Sequence, residues 1–270
     1  MKPGQWLIKV RDARPLVHNI TNVVVTNVAA NALLAIGASP VMAYAHEEVA
    51  DMAKIAHAVA LNMGTLTPDV ITAMRLAGMS ANTYGVPVVF DPVGVGATPY
   101  RNEAAFLITS SIRLNVLRGN AGEIGLMVGS GGQVTGVDSS GASADLPAAM
   151  QMYARQHRTV VVATGEEDLV TDGDTLWRLT NGHPLLSTIT GSGCSLTGLL
   201  GAFVGVVDKD SPLTTYAQAA VAAITCFNVA GERAAQVAYG PGTFQAALFD
   251  ALYHLTADEV NEAAKIEQMD

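Results

Sequence analysis

Short runs of β-branched and apolar residues alternate along this chain with longer stretches of helical pattern. The strand-like runs are residues 40–42, 58–62, 87–91, 114–117 and 159–164. The helical stretches between and around them are residues 22–36, 47–56, 68–83, 103–111 and 121–128. Alternation at this spacing is typical of βαβ units. It predicts a three-layer α/β/α fold with a mostly parallel central sheet.

The second half of the chain follows a different pattern. Asp172-Gly173-Asp174 separates two short strand-like runs within residues 168–180, which predicts a β-hairpin. Beyond Gly193 the pattern is helical almost to the end, and residues 217–238 form the longest predicted helix. We see no internal repeat and no linker-like composition, so we predict a single domain over residues 1–270. The Gly- and Ser-rich segment 129–145 is predicted to be a surface loop.

Composition narrows the class of protein. Half of the residues are hydrophobic and 14% are charged, with a net charge of −9. This acidity argues against a nucleic acid or an anionic membrane as partner. Two cysteines exclude a disulfide framework, and the first residues lack the apolar run of a signal peptide. The apolar stretch 195–207 is shorter than the ~20 residues of a membrane span, so we expect a soluble cytoplasmic protein.

The segment Gly191-Ser192-Gly193-Cys194 is a glycine turn placed directly before an apolar helical stretch. Without a Cβ on either glycine, the backbone can turn tightly and approach a ligand closely. The helix start directs unpaired N–H groups and the positive end of the helix dipole at a phosphate or a developing oxyanion. The thiol of Cys194 is then expected to shift toward thiolate. The alternative is a tight turn that carries a small buried cysteine.

Two acidic residues follow strand-like runs and are candidates for a metal site. Ligands collect at the carboxyl ends of strands in an open parallel sheet, and Asp91 ends such a strand. The alternative for Asp91 is a turn aspartate that binds its own backbone. Glu123 follows Asn120 by three residues, which is a helix-capping pattern. It is also an arrangement in which Glu123 could hold a hydrated Mg²⁺.

Further candidates lie at other strand ends and near the N-terminus. Arg118 could contact phosphates with its planar guanidinium donors, or it could be a surface arginine. Thr164 could contact a nucleotide, or it could belong to a turn. Asn22 is either a helix cap or part of a polar pocket. Met42 is either a core residue or a thioether that packs on a heteroaromatic substrate. The histidines show no metal-ligand spacing.

Taken together, these residues occur in the order expected of the ribokinase-like superfamily, and the chain resembles its hydroxyethylthiazole kinase family. The resemblance extends from His18 to the final helices and is most specific at residues 18–22, 37–42, 90–94 and 119–123. It implies phosphorylation, by ATP with Mg²⁺, of the primary alcohol of 4-methyl-5-(2-hydroxyethyl)thiazole. It also implies a homotrimer whose thiazole site lies between neighbouring subunits.

The resemblance also implies a role for each candidate residue. Met42, Gly191 and Asn22 would contact the thiazole. Arg118 and Thr164 would contact ATP. Asp91 and Glu123 would hold Mg²⁺, and the turn from Gly191 through Gly193 to Cys194 would form the anion hole.

One position departs from the wider superfamily. Many kinases of this fold carry an aspartate base in a Gly-x-Gly-Asp turn, and this chain has Cys194 there. A loose phosphoryl-transfer transition state needs positioning and charge neutralisation more than early deprotonation of the alcohol. We therefore expect Cys194 to position the alcohol and to assist only modestly. Two other functions stay open: a nucleotide-dependent dehydratase of hydrated nicotinamide cofactors, and a non-catalytic thiazole-binding protein.

Overall fold

A computed structural model describes residues 2–130 and 145–269 of the chain. The strands in these ranges are β1 (Leu16–Ile20), β2 (Ser39–Val41), β3 (Ala58–Asn62), β4 (Val88–Asp91), β5 (Val116–Asn120), β6 (Val160–Thr164), β7 (Asp168–Thr171), β8 (Leu176–Leu179) and β9 (Ile266–Met269). The loop predicted at 129–145 lies almost wholly outside the described residues.

The α-helices are α1 (Pro3–Ala13), α2 (Thr26–Ile36), α3 (Val49–Ile55), α4 (Pro68–Tyr84), α5 (Pro99–Ser111), α6 (Ala121–Met127), α7 (Leu146–His157), α8 (Ser192–Val204), α9 (Leu213–Val237), α10 (Pro241–His254) and α11 (Ala257–Ala263). A short 3₁₀ helix covers Pro184–Thr188.

All nine strands join one sheet in the order β2-β1-β3-β4-β5-β6-β7-β8-β9. The pairs from β2 across to β6 are parallel, and those from β6 to β9 are antiparallel. The predicted hairpin is present as β7 and β8, with Gly173 at φ +100° in the turn. The mostly parallel sheet of the prediction is therefore confirmed.

Helices cover both faces of the sheet, as the continuous apolar strands require. Alternate strand residues enter different cores: Ala60 packs with α1, α2, α8, α9 and α10, whereas Leu61 packs with α3 to α7. Helix α8 approaches the sheet closely at its glycines, since a Cβ on Gly201 would lie 3.0 Å from Val17 Cγ1. This contact holds the start of α8 over the carboxyl ends of the central strands.

The chain departs from the predicted pattern near its N-terminus. Residues 18–20, which are not among the predicted strand-like runs, belong to strand β1. Helix α2 begins at Thr26 rather than at Asn22, and Val25 at its N-cap makes no side-chain cap bond. The expectation that Asn22 caps this helix is therefore wrong. Helices α1 and α7 and the edge strand β9 were not predicted.

One helix in the described ranges is long and apolar enough to cross a membrane. This is α9, and 78% of its most apolar window is buried inside the protein. A core helix of a globular protein has this character, and α9 packs against α1, α8 and α10.

Candidate active site

Polar residues meet at the carboxyl ends of strands β3 to β6. The parallel register places Asn62 beside Asp91 and Asn120 beside Thr164. The start of α8 lies over the same edge, since Thr197 in its second turn contacts Asp91. This is the edge at which ligands bind in open parallel sheets.

Asp91 is fully buried, and its contacts are with side chains from other elements. Its Oδ2 accepts hydrogen bonds from Asn62 Nδ2 (2.9 Å), Arg118 Nη1 (3.1 Å) and Thr197 Oγ1 (2.6 Å). Its Oδ1 is buried without a partner among the described residues. The alternative of a turn aspartate bound to its own backbone is wrong. Burial raises the pKa of this carboxyl, and the Arg118 guanidinium and the donors on Oδ2 only partly oppose the effect.

Arg118 is buried, so the alternative of a surface arginine is wrong. Its Nη1 donates to Asp91 Oδ2 and, at 3.2 Å, to the Gly193 carbonyl. Its Nη2 donates to Thr164 Oγ1 at 2.7 Å. The guanidinium thus joins β4, β6 and the first turn of α8.

Glu123 caps its helix, and the same side chain lies in the candidate site. The residue closes a capping box with Asn120, in which Glu123 Oε2 accepts from the Asn120 N–H at 2.9 Å. Its Oε1 accepts from the Gly94 N–H at 2.7 Å. Burial and the charge of Asp91 raise the pKa of Glu123, and the two N–H donors only partly oppose this shift. The cap fixes a buried carboxylate at the wall of the same cavity as Asp91.

The glycine turn takes the conformation that its sequence predicts. Gly191 is the N-cap of α8 at φ +87°, where a Cβ would lie 2.6 Å from Val25 Cγ1. A Cβ on Gly193 would lie 3.0 Å from Arg118 Nη1. The N–H groups of Ser192, Gly193 and Cys194 lack intrahelical acceptors, because they form the first turn. Gly191 is favoured by its positive φ and its lack of space for a Cβ, and Gly193 by its close contact with the Arg118 side chain.

Cys194 lies in the first turn of α8, half-buried, and its Sγ accepts a hydrogen bond from Asn22 Nδ2 at 3.2 Å. Burial, followed by the charge of Asp91, raises the pKa of this thiol to about 11. The prediction of a shift toward thiolate is therefore wrong. Desolvation outweighs the helix terminus, whose effect on a charge is about 0.3–2 kcal/mol.

Two cavities flank the glycine turn. The first, of about 580 Å³, is lined by Asn22, Asp91, Glu123 and Cys194. The second, of about 620 Å³, is lined by Thr164, Asp168, Leu196, Phe227 and Asn228. Both volumes lie in the range of small-molecule sites. Arg118, Ser192 and Gly193 line both cavities, so the two meet at the start of α8.

The structure brings together all but one of the predicted site residues. Met42 follows the edge strand β2, is half-buried, and does not line either cavity. Among the described residues no cluster of three or more His, Cys, Asp or Glu side chains that could hold a metal ion occurs.

Sequence reasoning missed Asn62 and Thr197, both of which bind Asp91. Asn62 ends a strand-like run, so the rule that selected Asp91 could also have selected it. Thr197 had no such signal, because it lies in an apolar helical stretch 106 residues from its partner.

Comparison with proteins of similar sequence identifies the family of this chain. The model of the hydroxyethylthiazole kinase family matches residues 7–258. The chain belongs to the hydroxyethylthiazole kinase family. A hydroxyethylthiazole kinase from Moorella thermoacetica is 52% identical over 258 residues, which cover 96% of this chain and 94% of that protein.

Solved structures agree with this family membership. A hydroxyethylthiazole kinase from Pyrococcus horikoshii OT3 superposes with a TM-score of 0.89 at 40% identity, covering 99% of both chains. A ribokinase-like superfamily protein from Enterococcus faecalis has a TM-score of 0.60 at 13% identity, covering 88% of this chain and 86% of that one. At that identity only the fold is shared, and it is the ribokinase-like fold predicted from the sequence.

Proposed function

We propose that this protein transfers the γ-phosphoryl group of ATP to the primary alcohol of 4-methyl-5-(2-hydroxyethyl)thiazole, with Mg²⁺ as cofactor. The observation that carries the proposal is the meeting of two cavities at the start of α8. A kinase needs separate sites for an acceptor and a nucleotide that share the position of the transferred group. Family membership adds the identity of the acceptor.

The first cavity suits the alcohol. Asn22, Gly191 and Cys194 line it beside the turn, so a thiazole bound there would direct its hydroxyl at the first turn of α8. The unpaired N–H groups of that turn would stabilise the charge on the transferred phosphoryl oxygens. The alcohol oxygen would attack phosphorus as the bond to the leaving ADP oxygen breaks, and the alcohol proton would pass to a transferred phosphoryl oxygen or to water. Cys194 would hold the alcohol in line.

The second cavity suits the nucleotide. Thr164 and Arg118 lie at the end that adjoins the turn, where phosphates would bind. Leu196 and Phe227 offer apolar surface to a base. Because Arg118 already donates to Asp91, Gly193 and Thr164, its contribution to ATP binding includes holding these groups in place.

The carboxylates fit a hydrated Mg²⁺. Asp91 Oδ1 is buried without a donor among the described residues, and Glu123 lines the same cavity as Asp91. Mg²⁺ in phosphoryl-transfer sites takes one or two carboxylates and completes its shell with phosphate oxygens and water. When bound, it would neutralise charge on the phosphate oxygens.

Further parts of the proposal concern assembly and location. We propose one domain, a homotrimer with the thiazole site between subunits, and a cytoplasmic location suited to two free cysteines.

Val24 lines the first cavity and is 63% exposed, as expected of a residue that a neighbouring subunit covers. In such a trimer Met42 would reach the cavity of a neighbour. A monomeric mass by light scattering would contradict this assembly.

A coupled assay of ADP release with and without the thiazole alcohol and Mg²⁺ tests the main proposal. We expect release only when both are present. Alcohol-independent water loss from a hydrated nicotinamide cofactor would favour the dehydratase instead. Thiazole binding without ADP release would favour a binding protein.

A further inference from the structure

We propose that Asn62 is a positioning residue for phosphoryl transfer, whose carboxamide joins the Asp91 carboxylate to the Cys194 thiol through Asn22. The inference rests on the function proposed above and adds a residue to its site. The links are Asn62 Nδ2 to Asp91 Oδ2 (2.9 Å), Asn22 Nδ2 to Asn62 Oδ1 (3.0 Å) and Asn22 Nδ2 to Cys194 Sγ (3.2 Å).

At the Asp91 end, Asn62 helps to decide which carboxylate oxygen faces the reaction. Asn62, Arg118 and Thr197 all donate to Oδ2. The carboxylate cannot rotate about its Cβ–Cγ bond without breaking these three bonds. Oδ1 is therefore the oxygen kept without a donor among the described residues.

The orientation of the Asn62 amide follows from its neighbours. Its Oδ1 faces two donors, Asn22 Nδ2 and the Gly64 N–H at 3.1 Å, and its Nδ2 faces a carboxylate. A flipped amide would place oxygen against oxygen on one side and nitrogen against two donors on the other. The amide is fixed in one orientation, so it transmits the position of Asp91 to Asn22.

At the Cys194 end, the thiol is oriented by Asn22. One hydrogen of Asn22 Nδ2 is directed to Asn62, so the other points at Sγ. Asn22 also packs tightly, because a Cβ on Gly64 would lie 2.7 Å from its Nδ2. With Sγ accepting this bond, the S–H hydrogen points away from Asn22, and the thiol can donate to the alcohol oxygen.

Thr197 provides a matched control. Its hydroxyl donates to the same Asp91 oxygen as Asn62, but its other bond is to the Gly193 carbonyl and not to Asn22. Asn62→Ala and Thr197→Val therefore each remove one donor from Asp91, and only Asn62→Ala releases Asn22. Asn62→Ala also frees the Gly64 N–H, and Thr197→Val also frees the Gly193 carbonyl. The link to Cys194 is therefore reported by the part of the Asn62→Ala effect that disappears when Cys194 is replaced.

The kinetic test measures kcat and both KM values for each variant, alone and combined with Cys194→Ala. We expect Asn62→Ala to lower kcat about tenfold with both KM values changed less than about threefold. In the Cys194→Ala background this loss should shrink at least about threefold, whereas the loss from Thr197→Val should be the same in both backgrounds. Independent, multiplying effects of Asn62→Ala and Cys194→Ala would overturn the proposal.

A second measurement does not depend on turnover. Cys226 is fully buried, so alkylation by iodoacetamide reports on Cys194. Because the thiolate reacts and Asn22 donates to it, Asn62→Ala should slow alkylation at least about threefold, and Thr197→Val should change it less than about twofold. Equal rates in wild type and both variants would overturn the link.

These measurements separate the two proposals. A wild-type protein that shows no alcohol-dependent ADP release would refute the proposed function. The alkylation rates would still test the link from Asn62 to Cys194. Should thermal unfolding show that Asn62→Ala is not folded, Asn62→Ser replaces it in both measurements, with the same expected results.

Discussion

Replacing Cys194 with alanine is expected to leave measurable kinase activity, because the thiol is a poor base in this site. Burial and the charge of Asp91 raise its pKa to about 11. The thiolate fraction falls tenfold for each pH unit below the pKa, so about 3 in 10,000 thiols are ionised at pH 7.5. A group so seldom in its basic form cannot account for the turnover of the enzyme.

The expected decrease in kcat depends on the catalytic groups that the Cys194→Ala variant keeps. A well-placed general base contributes about 10²- to 10⁴-fold, but only when it is in the correct protonation state. The first turn of α8 and Arg118 are unaffected by the substitution, and electrostatic stabilisation of this kind is usually the largest contribution to catalysis. We therefore expect kcat of Cys194→Ala to lie within about tenfold of the wild-type value.

The assay is alcohol-dependent ADP release between pH 6.5 and pH 9.5 for wild type, Cys194→Ala and Cys194→Asp. The pH profiles of wild type and the alanine variant should have the same shape, and the aspartate variant should remain active. Complete loss of activity in Cys194→Ala would refute this reasoning. A wild-type kcat that rises tenfold per pH unit, beside a flat profile for the alanine variant, would refute it as well.

Three further predictions concern the carboxylates that line the two cavities and the glycine turn. Asp91→Asn should lower kcat at least about a thousandfold by weakening the proposed Mg²⁺ site. Glu123→Gln, which keeps one acceptor oxygen, should lower kcat about 10- to 100-fold, and Mg²⁺ titrations of kcat would check both. The pKa of Asp168 is raised by burial from 3.8 to about 6, so the stability due to its protonation is complete below 3.8 and lost as pH rises through 6. Asp168→Asn should therefore gain up to about 3 kcal/mol in unfolding free energy relative to wild type between pH 4 and 7, and a constant difference in denaturant titrations would contradict this. Gly191→Ala should cost about 1–3 kcal/mol of stability and weaken alcohol binding, whereas Gly242→Ala, with no atom within 4 Å of the added Cβ, should be neutral or slightly stabilising in thermal unfolding.

Much of the fold could be predicted because its signals are local. The runs that became β3, β4 and β6 are apolar and β-branched, as strands buried on both faces must be. The Asp-Gly turn specified the β7–β8 hairpin through the positive φ of Gly173. Strand β1 was missed because His18 and Asn19 interrupt its apolar pattern, although both are buried in the sheet.

The site was less predictable, because its energetics depend on long-range contacts. The chemistry of Asp91 and Glu123 follows from their positions at a strand end and a helix start. The pKa of Cys194 does not, since it depends on how deeply the first turn of α8 lies among Asn22, Asp91 and the strand ends. A helix dipole can be read from sequence, whereas the larger effect of burial cannot.

The raised pKa values of Asp91 and Glu123 bear on why a buried polar network persists here. The Arg118 guanidinium lowers the pKa of both Asp91 and Glu123, and it makes an ion pair with Asp91. Burying charge that is not fully compensated costs stability. The cost falls when a ligand supplies positive charge, so the proposed function predicts that ATP binds more tightly with Mg²⁺ than without it.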